Sequence, residues 1–295
     1  MPRSDLPRER NLPEGGRRRD LPDPSDPPRP IVEMVEWGAE SQIGPRVRGT
    51  ELRMEIRDSV AIVTGSSRGI GRAIAAMLAG AGASVVINAR DKSEALLKVA
   101  DILGPPGRVL VAPGDVGDFD VCRGIVRSAQ DRFGPVDILV NNAGTFGLKR
   151  FAEMEPKDWE SMFRVHVFGS FNMSRHVLPD MIRRKRGVIV NIASFVAVRP
   201  PGPGRVHYAA AKSALLGLTR ALGLELAGTG VRVVGVAPGL TDTEIVRKGL
   251  PNLPERVARV PVGRMARPEE IAHAVRFVIE NEFTTAETLF ISGGE

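Results

Sequence analysis

From Ser59 onward the chain alternates short apolar runs with longer amphipathic stretches. The runs 60–63, 84–88, 109–112, 138–141, 188–192, 231–236 and 289–291 are brief and rich in Val or Ile, with little in/out alternation. That pattern predicts strands of a parallel sheet buried on both faces. Between them, 69–81, 93–103, 119–133, 157–183, 208–227 and 268–280 carry apolar positions at helical spacing. Strands alternating with helices demand right-handed crossovers. The expected fold is α/β, a doubly wound Rossmann fold with a seven-stranded parallel sheet and helices on both faces.

Residues 1–53 break this pattern. They hold nine prolines, ten arginines and no lysine, and ten acidic residues cancel the arginines. High Pro and low hydrophobicity predict a disordered N-terminal extension, with a weakly apolar patch at 31–37. Met54 reads as the functional start, and 54–295 as a single domain. A transit peptide is poor in acidic residues, so a targeting arm built on Arg17-Arg18-Arg19 is the weaker alternative.

The net charge is +6, from 41 basic and 35 acidic residues, and both signs are interspersed. One Tyr and two Trp leave no aromatic-studded basic stripe, so nucleic acid is not expected as a partner. No apolar run reaches the roughly 18–20 residues of a membrane span, and none resembles a signal-peptide core. The single cysteine, Cys122, rules out an internal disulfide or a Cys-rich metal site. It reads as a small buried hydrophobe, and the usage fits a reducing, cytoplasmic compartment.

The first predicted strand runs into Thr64-Gly-Ser-Ser-Arg-Gly-Ile-Gly71 and then into a helix. Glycines let backbone approach a pyrophosphate, and the helix N-terminus offers unpaired N–H groups. Gly65, Ser67, Arg68, Gly69, Ile70 and Gly71 are therefore candidate cofactor contacts. A dinucleotide fold selective for NAD carries an acid at the end of its second strand, to hold the ribose 2′-hydroxyl. Here that slot is Ala89, followed by Arg90. Arg90 and Arg68 can pair with a 2′-phosphate, which points to NADP rather than NAD. Asp115 and Val116 follow the third strand, where the acid could take the adenine amino group or simply form a turn. Asn141-Asn142-Ala143-Gly144 ends the fourth strand, at the edge where such sheets bind ligands.

Tyr208 and Lys212 lie four apart on a predicted helix, hence on one face, with Ser194 fourteen residues earlier. An ammonium beside a phenol lowers the phenol pKa from about 10 toward neutrality. A phenol so tuned is a general acid/base. A partner that moves a hydride with that proton is then expected.

Together these residues resemble the short-chain dehydrogenase/reductase family in its compact single-domain branch. The matches are 64–71, Asp115, 141–144, Ser194, Tyr208 with Lys212, Pro238-Gly239 with Thr243, 264–271, and Gly293-Gly294. The resemblance implies Tyr208 as proton donor to a carbonyl. It implies Lys212 as its tuner and a ribose contact, and Ser194 as the polariser of the substrate oxygen. Pro238, Gly239, Thr241 and Thr243 would line the nicotinamide side.

Three departures from the family pattern stand out. His166 occupies the position of an Asn that helps hold a proton-relaying water; a His could fill that slot and titrate near pH 6.5, could be a satisfied core residue, or could disturb the relay. The Ser194–Tyr208 spacing is one residue long, within a Pro/Gly loop that absorbs it cheaply. The segment before the last strand is short, which bears on the homo-oligomer (dimer or tetramer) that the resemblance implies. The lid expected over 243–262 holds Arg247, Lys248, Arg256 and Arg259, and 183–186 reads Arg-Arg-Lys-Arg. This is similar to 3-oxoacyl-(acyl-carrier-protein) reductases, which dock an acidic carrier on basic patches. An acyl-thioester carbonyl is one candidate substrate, and a small alcohol, sugar or steroid another. A non-catalytic NADP(H) sensor or scaffold is the rival class.

Overall fold

A computed structural model describes residues 54–104, 107–200 and 202–295. The expectations for 1–53 lie outside the described residues. The elements run β1 (Val60–Val63), α1 (Gly69–Gly80), β2 (Ser84–Ile87), α2 (Glu94–Ile102), β3 (Val109–Val111), α3 (Phe119–Phe133) and β4 (Ile138–Asn141). Then come α4 (Pro156–Phe163), α5 (Gly169–Arg184), β5 (Gly187–Ile192), α6 (Val206–Glu225) and β6 (Val231–Pro238). The short helices α7 (Glu244–Gly249) and α8 (Leu253–Ala258) precede α9 (Pro268–Glu280) and β7 (Thr288–Ile291).

All seven strands pair in parallel, in the order β3-β2-β1-β4-β5-β6-β7. The expected Rossmann-type sheet is therefore present. Strands β1, β4 and β5 are buried at every position, which explains their unbroken apolar sequence. Successive residues of β1 point into two different cores. Ala61 and Val63 face α1 and α9, whereas Val60 and Ile62 face α3 and α5. Chain direction across the sheet reverses between β1 and β4, and the crevice of such a fold opens there.

Polar side chains fix how the strands end. Asn142 donates through Nδ2 to the Thr64 and Gly65 carbonyls at 2.9 and 3.0 Å, tying the end of β4 to the turn after β1. Asn141 Nδ2 reaches Asn191 Oδ1 at 2.9 Å, and Asn191 Nδ2 continues to Thr219 Oγ1 at 2.9 Å. That buried chain joins β4, β5 and α6. Arg232 of β6 donates to the Val278, Ile279, Asn281 and Thr284 carbonyls, so one guanidinium caps the C-terminal end of α9.

Three sequence expectations change. The single helix over 157–183 is α4, a π turn at Arg164–Phe168, and α5. A π turn holds one extra residue and commonly marks a functional position; here it carries His166. Two short helices occupy the expected lid. The Arg-rich corner at 183–186 is partly offset from within by two carboxylates: Arg184 pairs with Asp137 (2.8 Å) and Asp180 (2.9 Å), Arg186 pairs with Asp137 (3.2 Å), and Arg183 pairs with Asp180. As a docking patch it offers less than its sequence suggests. Cys122 is buried as expected; its thiol donates to the Val116 carbonyl, and burial pushes its pKa up to about 12.

Candidate active site

A cavity of about 820 Å³ opens at the C-terminal ends of the strands, at the switch point. Every site residue named from the sequence lines it. The glycine loop contributes Gly65, Ser67, Arg68, Gly69, Ile70 and Gly71; the ends of β2 to β4 contribute Arg90, Asp115, Val116, Asn142 and Gly144. His166, Ser194, Tyr208 and Lys212 line the deeper part, with Pro238, Gly239, Thr241 and Thr243 closing the far side.

The loop at one end is built for a ligand that meets backbone. Gly65 has φ +63°, and a Cβ there would fall 2.7 Å from the Ala143 Cα. A Cβ on Gly71 would fall 2.3 Å from the Gly65 carbonyl oxygen. No side chain fits at either position, so the loop stays tight and its backbone open. Helix α1 has no side chain capping its N-terminus. Its first N–H groups, with the positive end of the helix dipole, suit an anionic group. The residues present thus fit a dinucleotide pyrophosphate.

Arg68 and Arg90 both reach the cavity. Each carries an exposed ion pair: Arg68 with Glu244 at 3.4 Å, Arg90 with Asp91 at 3.2 Å. Pairs of that kind contribute about 0–1 kcal/mol and open easily. Asp115 accepts from the Gly117 N–H at 2.9 Å and pairs with Arg164 at 3.1 Å. It therefore acts as a turn-former here, and one carboxylate oxygen is engaged on each side. Thr243 caps α7, and Thr241 donates to the Gly239 carbonyl at 3.0 Å.

At the other end, Lys212 is buried on α6, and its Nζ donates to the Ile192 carbonyl at 2.6 Å. The ammonium lies 5.8 Å from the centroid of the Tyr208 ring. Burial drops the Lys212 pKa to about 7. The Tyr208 phenol, which Ser194 hydrogen-bonds, moves the other way. Burial raises its pKa, with Ser194 and the Arg205 charge pulling it down. Burial therefore outweighs the groups that favour the phenolate, against the expected lowering toward neutrality. At neutral pH the phenol of the protein without ligand is protonated, the form that donates.

His166 is 2% exposed. Its Nε2 lies 2.8 Å from the Thr145 carbonyl, and the ring meets the Tyr208 ring edge-on at 5.5 Å. Gly144 makes room, since a Cβ there would fall 2.5 Å from His166 Cε1. Burial first, then the Lys212 charge, push its pKa well below 6.5. Of the readings open for His166, a titration near 6.5 is the one this direction opposes: the imidazole is neutral at physiological pH. With Nε2 donating to Thr145, Nδ1 is a lone-pair acceptor, and it has no partner among the described residues.

Phe146 was not legible from the sequence. It lines the cavity and meets the Tyr208 ring edge-on at 5.4 Å. The only signal was an aromatic two residues beyond Gly144. Asn88, which ties its own strand end to the Ala112 and Gly114 carbonyls at 2.9 and 3.1 Å, was missed too. Among the described residues no cluster of His, Cys, Asp or Glu could hold a metal, and no helix is long and apolar enough to cross a membrane.

Comparison with known proteins agrees with this geometry. The family described as short chain dehydrogenase matches residues 59–253. A 3-oxoacyl-(acyl-carrier-protein) reductase of Thermotoga maritima is 34% identical over 250 residues, covering 82% of this chain and 99% of that protein. A subunit of (2S)-[(R)-hydroxy(phenyl)methyl]succinyl-CoA dehydrogenase from Thauera aromatica is 36% identical over 248 residues, covering 82% and 98%. Among solved structures, a blue fluorescent protein from a metagenomic library, in complex with NADPH, superposes with a TM-score of 0.76 at 32% identity, covering 81% of this chain and 98% of the other.

Proposed function

Because the chain belongs to the short-chain dehydrogenase/reductase family, and so to the NAD(P)-dependent oxidoreductases acting on CH–OH and carbonyl groups, we propose that it reduces a carbonyl with NADPH, using Tyr208 as the acid. The convergence of Ser194, Tyr208 and Lys212 on the cavity that also holds the glycine loop carries the reading. NADPH supplies the hydride; this chain's residues bind, orient and move the proton.

Ser194 and Tyr208 together hold the carbonyl oxygen. Tyr208 gives its proton as negative charge grows there, and Ser194 donates to the same oxygen. Burial raises the Tyr208 pKa, so the phenol without ligand carries the proton that carbonyl reduction uses. Lys212 holds the cofactor ribose and returns a proton to Tyr208 after each turnover. His166, with a buried lone pair on Nδ1, takes the place of the relay residue behind Lys212. Gly65 through Gly71 hold the pyrophosphate, and Asn142, Gly144, Val116 and Pro238–Thr243 frame the ribose and nicotinamide. Asp115, already committed to Gly117 and Arg164, serves the adenine side by shaping the turn.

Arg68 and Arg90 select the 2′-phosphate. Replacing both by Ala is expected to raise the KM for NADPH by about 30-fold, roughly 2 kcal/mol, with NADH little affected. Steady-state kinetics with both cofactors measure this; equal losses for NADPH and NADH would remove the selectivity reading.

The neutral His166 makes a further expectation specific. Its pKa lies below the ordinary value, so it gains charge only as pH falls well under 6.5. His166→Asn should therefore leave the kcat profile between pH 6 and 9 with the same ionisations, changing only its height. A wild-type limb near 6.5 that vanishes in the variant would mean that the imidazole titrates after all.

The relatives' names favour a 3-oxoacyl thioester over a neutral sugar or steroid as the substrate. The exposed Phe168 of the π turn and Phe171 of α5 support self-association, and a single buried cysteine supports a cytoplasmic setting. The test is NADPH oxidation across a panel of ketones, sugars and 3-oxoacyl thioesters. NADPH binding without turnover on any member would instead mark a sensor.

A further inference from the structure

The proton transfer makes no use of Phe146, the ring next to it. Phe146 lines the cavity and meets the Tyr208 ring with 82° between planes and 5.4 Å between centroids. Rings at that separation are in contact, so no substrate group passes between them. Two further contacts hold the Phe146 ring. The Arg205 guanidinium, at the start of α6, lies 6.0 Å from the ring centroid. Gly249 of α7 abuts the ring from the lid, where an added Cβ would come within 3.2 Å of it. The backbone on either side is pinned as well. The Thr145 carbonyl accepts from His166 Nε2 at 2.8 Å, and the Lys149 N–H donates to the Gly204 carbonyl at 2.9 Å.

A carbonyl held by Ser194 and Tyr208 has two substituents, and Phe146 stands on one flank of Tyr208. An arm on that flank meets a ring with little room to retreat, because Tyr208, Arg205 and the lid helix already border it. Packing of this kind does not open cheaply for added methylenes. The same flank is apolar. Val246 lines the cavity three positions before Gly249 on α7, hence on the helix face that meets Phe146. Ala193, just ahead of Ser194, lines the cavity too. The exposed charges of the cavity gather elsewhere, as the pairs Arg68 with Glu244 and Arg90 with Asp91.

We propose that Phe146 decides which carbonyls the site accepts: its ring walls one flank of Tyr208, so that one of the two carbonyl substituents must be apolar and as small as methyl. The inference rests on the carbonyl-reductase reading and narrows the substrate class within it. The other arm, clear of the wall, extends into the open cavity and can be long. In a 3-oxoacyl thioester the thioester arm is always large, so the acyl arm must face Phe146. An acetoacetyl group, whose acyl arm is a methyl, is then preferred to longer 3-oxoacyl groups. The wall also fixes which face of the carbonyl turns to the nicotinamide, since the two arms cannot exchange places. A methyl ketone therefore gives one enantiomer of its alcohol.

The test uses two isomeric ketones of matched hydrophobicity, 2-octanone with one methyl arm and 4-octanone with none. At saturating NADPH the wild-type protein is expected to favour 2-octanone about 30-fold in kcat/KM, the scale that misfitting methylenes produce. Its product should be a single enantiomer of 2-octanol. In Phe146→Ala the ratio should fall to within about threefold because turnover of 4-octanone rises, and the alcohol should become a mixture of enantiomers. A merely damaged fold loses activity on both ketones and gains none. Equal rates in wild type, or an unchanged ratio in Phe146→Ala, overturn the inference. Should Phe146→Ala fail to fold, as judged by melting, Phe146→Leu decides: the ratio should drop about threefold, and no drop overturns the proposal. Binding is read separately by titrating each ketone into the NADPH complex and following nicotinamide fluorescence. A Phe146-dependent preference for 2-octanone in binding, without turnover of any carbonyl, keeps the wall and defeats the reductase reading. Turnover of both ketones alike does the reverse. If neither ketone binds or turns over, the proposal is overturned.

Discussion

Tyr208→Phe is expected to lower kcat about a thousandfold while the protein still folds and binds NADPH. Losing a positioned general acid typically costs a factor of 10² to 10⁴, and a thousandfold corresponds to about 4 kcal/mol of barrier. The substitution removes one hydroxyl and keeps the ring that His166 and Phe146 meet edge-on, so the packing survives. Ser194 would remain to hold the carbonyl oxygen, with no proton to give it from the phenol. The measurement is single-turnover NADPH oxidation beside a fluorescence titration of NADPH. A kcat within tenfold of wild type would mean that another group supplies the proton, and the mechanism would fall.

Gly71→Ala is expected to have a comparable effect on cofactor binding by a different route. The new Cβ would need to share space with the Gly65 carbonyl oxygen at 2.3 Å and the Asn142 Nδ2 at 2.4 Å. Neither can retreat freely. Gly65 is in the positive-φ region, and Asn142 is tied to the Thr64 and Gly65 carbonyls. The loop must open, which displaces the N–H groups at the start of α1. We expect NADPH affinity to fall by at least 100-fold, about 2.7 kcal/mol. Overpacking of this kind also costs about 1–3 kcal/mol of stability, a fall in Tm of roughly 3–10 °C. Isothermal titration and a thermal melt read the two effects apart. Normal affinity in Gly71→Ala would mean that the loop does not hold the pyrophosphate. Gly69→Ala offers a contrast: its Cβ would meet the methyl of Thr243 at 3.2 Å, a softer neighbour, although its φ of +53° still carries strain.

The sequence alone determined the sheet, because strands buried on both faces must be written in unbroken Val and Ile, as in 60–63 and 188–192. It also located the cavity residues, since phosphate loops and a Tyr/Lys pair need fixed residue types at fixed short spacings. Gly65 through Gly71 are seven consecutive residues, and Tyr208 and Lys212 lie four apart on one helix, so local geometry dictates their arrangement. What depended on burial was not legible. Spacing predicted that Lys212 would acidify Tyr208; burial of the phenol moved its pKa the other way. A titration near 6.5 was one of the readings open for His166; the fold buries the imidazole beside Thr145, and burial first, then the Lys212 charge, holds it neutral. Long-range partners were equally hidden. Arg184 and Arg186 read as a basic patch until Asp137, some fifty residues away in sequence, was brought against them. Phe146 and Arg205 met at the Tyr208 ring only because the β4 loop and the start of α6 converge there. Short-range chemistry is written in spacing, whereas solvation and charge pairing depend on what the folded chain puts next to each group.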